Sequence, residues 1–562
     1  MCEIWSFVSQ GWGATLDTLL LPSNLLTELP ANLFVHAPRL RELSISFNKF
    51  RYVDPLAFSD VAASLESLEA SFSLWGDQYP EELLLPLGNL LWLALDNNNI
   101  RVLNRNALHK HPKLQYINLE SNLLTELPDG FFHSSVHSNL REVRLSYNSL
   151  STLQTGFLAG LPEVQTVSLS GNRIKTIASE AFRDLPSLVN VLLARNGMQS
   201  LEARAFVNTP LLKNLDLHGN KLKVLSLSSF FNVSSLEIPL NLNVSLNHLS
   251  EMPAQPGSIV HIHTLDASHN HLTQVPVEFL DAVGESLSQV ILSHNWIVRV
   301  DVRTLGNANT VQVLDLGYND IATLASGAFE GYSQLQVLKL PHNLIQHIQP
   351  DQFTHLSSLR VVDLSKNLIR SLPKNSFHGT QLEHLDLSGN MFVVVPSSAL
   401  EEVGKSLRSL DLSRNQVEHL DSTMFLGIPW LNFLNLASNK LSFLPDNVFS
   451  SLGGLLSLDL ASNPLRANFA ELFHYEQELR SLSLAETGVG GKQKPLALPL
   501  PHLMELNLTG NAFEVLGGPQ DGLKRLRVLI LRDNRLVALP VAPLLRELDI
   551  SGNPIKVSSS QI

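Results

Sequence analysis

An eleven-residue unit returns at nearly constant spacing along this chain and leaves few folds open to it. It is seen most cleanly at Leu359 to Ile369, LRVVDLSKNLI, where Leu359, Val362, Leu364 and Ile369 hold positions 1, 4, 6 and 11 and Asn367 holds position 9. The alternation of Val362 and Leu364 with Val361, Asp363 and Ser365 has the period of an extended strand, so a short strand should turn its apolar residues inward and its polar residues outward. Asn367 then turns the chain. Its amide both donates and accepts, so it can pair backbone groups of neighbouring coils that a buried turn would otherwise leave unsatisfied, at about 1–3 kcal/mol each.

Position 9 recurs from Asn24 and Asn48 through Ser73 and Asn98 to Asn511, Asn534 and Asn553, giving about 23 units with Asn in 21 of them. In the middle of the array Asn319, Asn343, Asn367, Asn390 and Asn415 form an uninterrupted structural ladder. A chain of 562 residues would ordinarily suggest several domains, but one unit recurring throughout predicts a single elongated array instead. The expected organisation is a repeat solenoid over 16–556, a partial repeat or flank at 1–15 and a tail at 557–562.

A second column falls ten residues after the Asn, with Phe at Phe34, Phe58, Phe132, Phe182, Phe206, Phe230, Phe329, Phe353, Phe377, Phe425, Phe449 and Phe473. These rings should stack along the inside of the returning segment as core. So few residues separate the strands that each return can hold only a turn, a short extended piece or a helical turn. The fold class is therefore an α/β repeat solenoid: a curved array with a parallel concave sheet and mostly non-helical convex segments.

Composition narrows the function. With 44% hydrophobic and 16% charged residues the chain can bury a continuous core, and its net charge of −12 without clustered Lys and Arg argues against nucleic acid as a partner. The single cysteine, Cys2, excludes a disulfide framework or a CxxC metal site within the chain. There is no apolar run of transmembrane length and no signal-peptide pattern in MCEIWSFVSQGWGATLDTLLL. The repeat pattern already runs at Leu16 and the chain stops soon after Ile555, so the sequence is expected to be a piece of a longer protein.

Four places break the rhythm: Ser73 replaces Asn, the step from Asn220 to Asn247 grows to 27, Thr487 replaces Asn before GVGGKQKP, and the step from Asn534 to Asn553 shrinks to 19. Ordinary repeat drift accounts for them, the competing reading being loops that project toward a partner.

The repeat form seen in LLTELPDGFF after Asn122 and SFLPDNVFSSLGGL after Asn439 resembles extracellular leucine-rich repeat proteins. Within that group, the uninterrupted cysteine-poor array, with segments such as FNKFRYVDPLAFSDVAASLESLEASFSLWGDQYPEELLLPLGNLLWLALDNNNI, is similar to insect photoreceptor adhesion proteins. That resemblance implies a lipid-anchored glycoprotein at the cell surface that binds a protein, either itself or another cell-surface protein. The alternatives are the ligand-binding ectodomain of a Toll-like or other signalling receptor, and an intracellular scaffold or enzyme regulator.

Three sequons, at Asn232, Asn243 and Asn507, fit a surface protein, with Asn243 and Asn507 at the outward position 5. Position 5 also carries Asp315, Asp363, Asp386, Asp411 and Asp459, a candidate partner-binding column in which Asp363, Asp386 and Asp411 fall in consecutive units. Carboxylates one strand spacing apart should raise one another's pKa values, unless Arg360, Lys366, Arg408 and Arg414 relieve them. His269, His294 and His342 share position 8, with His261, His263 and His271 close by in sequence, but parallel side chains diverge where metal ligands must converge. No GxSxG, HExxH or phosphate-loop pattern occurs. The expectation is a recognition module with no catalytic residues, no metal and no cofactor.

Overall fold

The structure, a computed structural model, describes residues 13–73, 76–254, 260–466, 469–474, 478–490, 496, 498–516, 524–539 and 543–555. Most of the expected flank at 1–15, Cys2, residues 491–495 of the GVGGKQKP stretch and the tail at 557–562 lie outside the described residues. By internal contacts the chain forms two compact units: Met1–Leu272 with Pro276–Val290 and Gly306–Ala308, and Thr273–Val275 with Ile291–Leu305 and Asn309–Ile562.

In the first unit, three-residue strands such as Glu42–Ser44, Ser67–Glu69, Trp92–Ala94, Tyr116–Asn118 and Glu142–Arg144 pair in parallel with the equivalent strand of the next repeat, position 3 on position 3 and position 5 on position 5. The second unit repeats the arrangement through Val337–Lys339, Val361–Asp363, His384–Asp386, Ser409–Asp411, Phe433–Asn435 and Ser457–Asp459. The fold is a parallel-strand solenoid with little helix. The strands end at position 5, and position 8, just before the ladder Asn, takes a left-handed conformation that turns the chain in nearly every repeat; φ is 54° at Tyr318, 52° at His342 and Lys366, and 64° at Gly389.

The ladder asparagines are buried. Asn367 donates from Nδ2 to the Leu340 carbonyl of the preceding repeat at 2.9 Å and to Leu364 of its own at 3.0 Å, while its Oδ1 accepts from Ile345 N at 3.1 Å. Asn319, Asn343, Asn390 and Asn415 do the same, with Nδ2 reaching Leu292, Leu316, Leu364 and Leu387 at 2.9–3.0 Å. Each amide therefore joins two adjacent coils and closes its own turn.

Behind the sheet the Phe column is buried and ring follows ring. Centroid separations are 4.9 Å for Phe182 and Phe206, 5.8 Å for Phe206 and Phe230, and 5.5 Å for Phe353 and Phe377. The return segments vary with repeat length. All four steps of 25 residues carry a helical piece, at Ser59–Val61, Glu81–Leu84, Val277–Ala282 and Ser397–Leu400. The last three begin directly after Pro80, Pro276 and Pro396, whose fixed φ suits the start of a helix. Between Thr152 and Val233 the returns are instead extended, and pair into a three-stranded and a four-stranded parallel ladder.

Candidate functional site

The side chains the fold does not consume stand on the outer face of the sheet. In the second unit position 5 runs Asp315, Lys339, Asp363, Asp386, Asp411, Asn435 and Asp459 on seven registered strands. Each aspartate spends one oxygen on its own strand exit. Oδ1 accepts from the backbone N–H two residues on, at 3.0 Å for Asp315, 2.9 Å for Asp363, 2.8 Å for Asp386 and Asp411, and 2.9 Å for Asp459.

The second oxygens are treated unequally. Lys339 Nζ stands 4.0 Å from Asp315, and Asn435 Nδ2 donates to Asp411 Oδ2 at 2.9 Å. Two of the basic neighbours expected to relieve the column turn elsewhere, because position 2 lies nearer to other acceptors. Arg360 pairs with Glu383 of the next repeat at 2.6 Å, and Arg408 donates to the carbonyls of Lys405 and Leu407. Among the described residues no cationic side chain bridges Asp363, Asp386 or Asp411. Burial raises the carboxyl of Asp386 above its ordinary range; the hydrogen bonds from Ser388 pull the other way, and the charges of Asp411 and Asp363 add to the rise. Burial likewise raises Asp459.

Position 8 of the same unit holds His294, Tyr318 and His342 as one stack, with ring centroids 4.2 and 4.0 Å apart and planes within 16°. These rings lie parallel along the strand exits. Among the described residues no group of three or more His, Cys, Asp or Glu side chains is arranged to hold a metal ion.

In the first unit position 3 brings Trp92 and Tyr116 face to face at 3.4 Å, and the guanidinium of Arg144 lies over Tyr116 at 5.2 Å, held by Glu142 at 2.6 Å. Burial pushes the Tyr116 hydroxyl up to about 12. Further along the column Asn190 donates to Thr166 Oγ1, Asn214 to Asn190 and Asn241 to Asn214, at 2.8–3.1 Å. Reading one repeat at a time misses both ladders; the signal is the position-3 column read across repeats. The sequon residues Asn243 and Asn507 are half-buried at position 5, each Oδ1 accepting from the backbone N–H and hydroxyl of its own Ser245 or Thr509. Asn232 is exposed on the return strand Phe230–Val233 and donates to Asn208 at 3.1 Å.

A family model described as leucine rich repeat matches residues 14–73, 138–198, 285–345, 333–392 and 405–465. The chain is 36% identical to chaoptin of Tribolium castaneum over 529 residues, which cover 90% of this chain and 67% of that protein. It is 31% identical to the trophoblast glycoprotein of Macaca fascicularis over 173 residues, spanning 27% of this chain and only 41% of that relative's length. Among solved structures, the complex of Toll with Spatzle from Drosophila matches over 96% of this chain and 81% of that one, with a TM-score of 0.66 and 19% identity, a likeness of fold.

Proposed function

Because this chain belongs to the leucine-rich repeat family, we propose that it is the protein-recognition module of a cell-surface adhesion protein, binding individual Lys and Arg side chains of its partner through the aspartate column Asp315, Asp363, Asp386, Asp411 and Asp459. The observation that carries this reading is the register of Asp363, Asp386 and Asp411 on adjacent strands, with no cation of the chain itself bridging them among the described residues. Half-buried like charges raise one another's free energy, and a partner's Lys or Arg entering the column relieves that repulsion. The identity to chaoptin over nine-tenths of the chain supports adhesion over the receptor reading, since the likeness to Toll speaks to fold alone. On this proposal the partner is a second copy of the same protein, and Asn232, Asn243 and Asn507 carry glycans.

Cells displaying the chain should aggregate, and mixing labelled displaying cells with bare cells should leave the bare cells outside the clusters. The triple change Asp363→Lys, Asp386→Lys and Asp411→Lys should abolish clustering, whereas Glu402→Lys on a return segment should leave it intact. Clustering that survives the triple change and is lost with the return-segment change overturns the assignment of the face.

A further inference from the structure

The geometry points to a second recognition element, on the first unit and apart from the aspartate column: we propose that the outer face of Trp92 is a slot for an arginine side chain presented by a protein partner. Trp92 and Tyr116 form a two-ring stack whose ends differ. The Tyr116 end is closed by the chain's own Arg144, a planar cation lying over the ring and fixed by the carboxylate of Glu142. At the Trp92 end the registered residue is Ser67, whose side chain is too short to cover an indole, and Trp92 stays 39% exposed. Two residues along the same strand stands Glu69, exposed, with neither an ion pair nor a side-chain hydrogen bond among the described residues.

The open end thus repeats the components of the closed end, an aromatic face beside a carboxylate, with the guanidinium missing. A flat guanidinium stacks on an indole face while donating to a carboxylate in its plane, and Trp is the ring that binds cations best. An ammonium fits this site less well because it is compact, strongly hydrated and cannot lie flat. The chain uses the same pairing again at Arg204, over the ring of Phe231 at 4.3 Å and 3.8 Å from Glu180. Exposed Phe47 and Phe72, stacked at 5.1 Å at the strand exits of the neighbouring repeats, give a protein partner an apolar anchor beside the charged one.

The test uses the full chain and three short probes, hexa-arginine, hexa-lysine and hexa-citrulline, followed by titration calorimetry. Hexa-arginine should bind about tenfold more tightly than hexa-lysine, and hexa-citrulline, planar but uncharged, should bind weakest. Trp92→Ala should erase the preference for arginine over lysine while leaving hexa-lysine affinity unchanged; Trp92→Phe should keep part of it, which separates loss of the ring from loss of folding. Glu69→Gln should weaken hexa-arginine severalfold. Equal affinity for the arginine and lysine probes in the wild type, or a preference untouched by Trp92→Ala, overturns the proposal. So does a neutral oligosaccharide whose binding alone depends on Trp92.

Discussion

At the scale of single residues, the ladder Asn and the residue before it divide the work of each turn. Asn367 reaches three carbonyls in two coils, those of Leu340, Leu364 and Ser365, and accepts from one N–H, all buried. Replacing it with Ala should cost about 1–3 kcal/mol for each group left unpaired, read as a lower midpoint in urea melts. Asn367→Ser should fall between, since Ser73 in a native ladder position donates to Ile45 and Ser71 carbonyls at 2.7 and 2.9 Å with a single hydroxyl. Ala and wild-type chains melting together would remove the ladder from the account. The ladder was legible in the sequence because one residue type recurs at fixed spacing. The stack of His294, Tyr318 and His342 was not, since positions alone read as polar residues at a strand exit. What brings the rings together is the left-handed turn at position 8 repeated on neighbouring coils, a conformation that a list of residues does not display. The choice of Arg360 for Glu383 over the aspartates was hidden for the same reason: it depends on side-chain reach between repeats.

At the scale of the element, the return segment sets how closely successive coils approach. A Cβ placed on Gly404, which has an ordinary φ, would overlap the carbonyl oxygen of Gly427, and one on Gly427 would sit 3.0 Å from Glu401 Cα. Two backbones touch there, just after the helical turn Ser397–Leu400, so the glycines are required by proximity and not by dihedral freedom. Gly404→Ala should destabilise by about 1–3 kcal/mol or more through forced backbone displacement. Gly453→Ala, whose added Cβ meets no atom of the described residues within 4 Å, should be neutral or stabilise by about 0.4–1 kcal/mol. The returns near His111 and His137 add a pH dependence. His111 is buried, with Nδ1 2.9 Å from the Leu87 carbonyl and, among the described residues, no hydrogen-bond partner for Nε2; Nε2 of His137 lies 3.1 Å from the Leu108 carbonyl, and Nδ1 accepts from His133 N. Burial lowers both imidazoles below their ordinary value, and His109, His111 and His133 add to the lowering at His137. The unfolded chain takes up these protons first, so the stabilisation is complete above pH ~6.5 and is lost as pH falls toward the depressed folded values. The wild-type urea midpoint should therefore drop between about pH 7 and 5, and drop less in His111→Gln. Equal slopes in the two proteins would assign the pH dependence to other groups.

At the scale of the whole molecule, the pattern of pairing decides how damage travels. Within each unit an interior sheet strand is bonded to the equivalent strand of the repeat before and the repeat after, as Val361–Asp363 is bonded to Val337–Lys339 and His384–Asp386. Stability in such a stack is a sum of nearest-neighbour terms, so a local loss loosens its neighbours without melting distant coils. The periodic spacing made this order readable in advance, because a column of identical turns implies a one-dimensional stack. How well each coil is covered was not readable: Val362 is 1% exposed, whereas Leu548, at the same position in the strand Glu547–Asp549, is 38% exposed. Native-state hydrogen exchange should accordingly find Glu547–Asp549 opening far faster than Val361–Asp363 in the wild type. In Asn367→Ala, protection should fall in Val337–Lys339, Val361–Asp363 and His384–Asp386, while Asn214–Asp216 in the first unit and Val528–Ile530 in the second keep wild-type rates. If protection falls evenly across all of these strands, the chain unfolds as one cooperative body and the nearest-neighbour description is wrong.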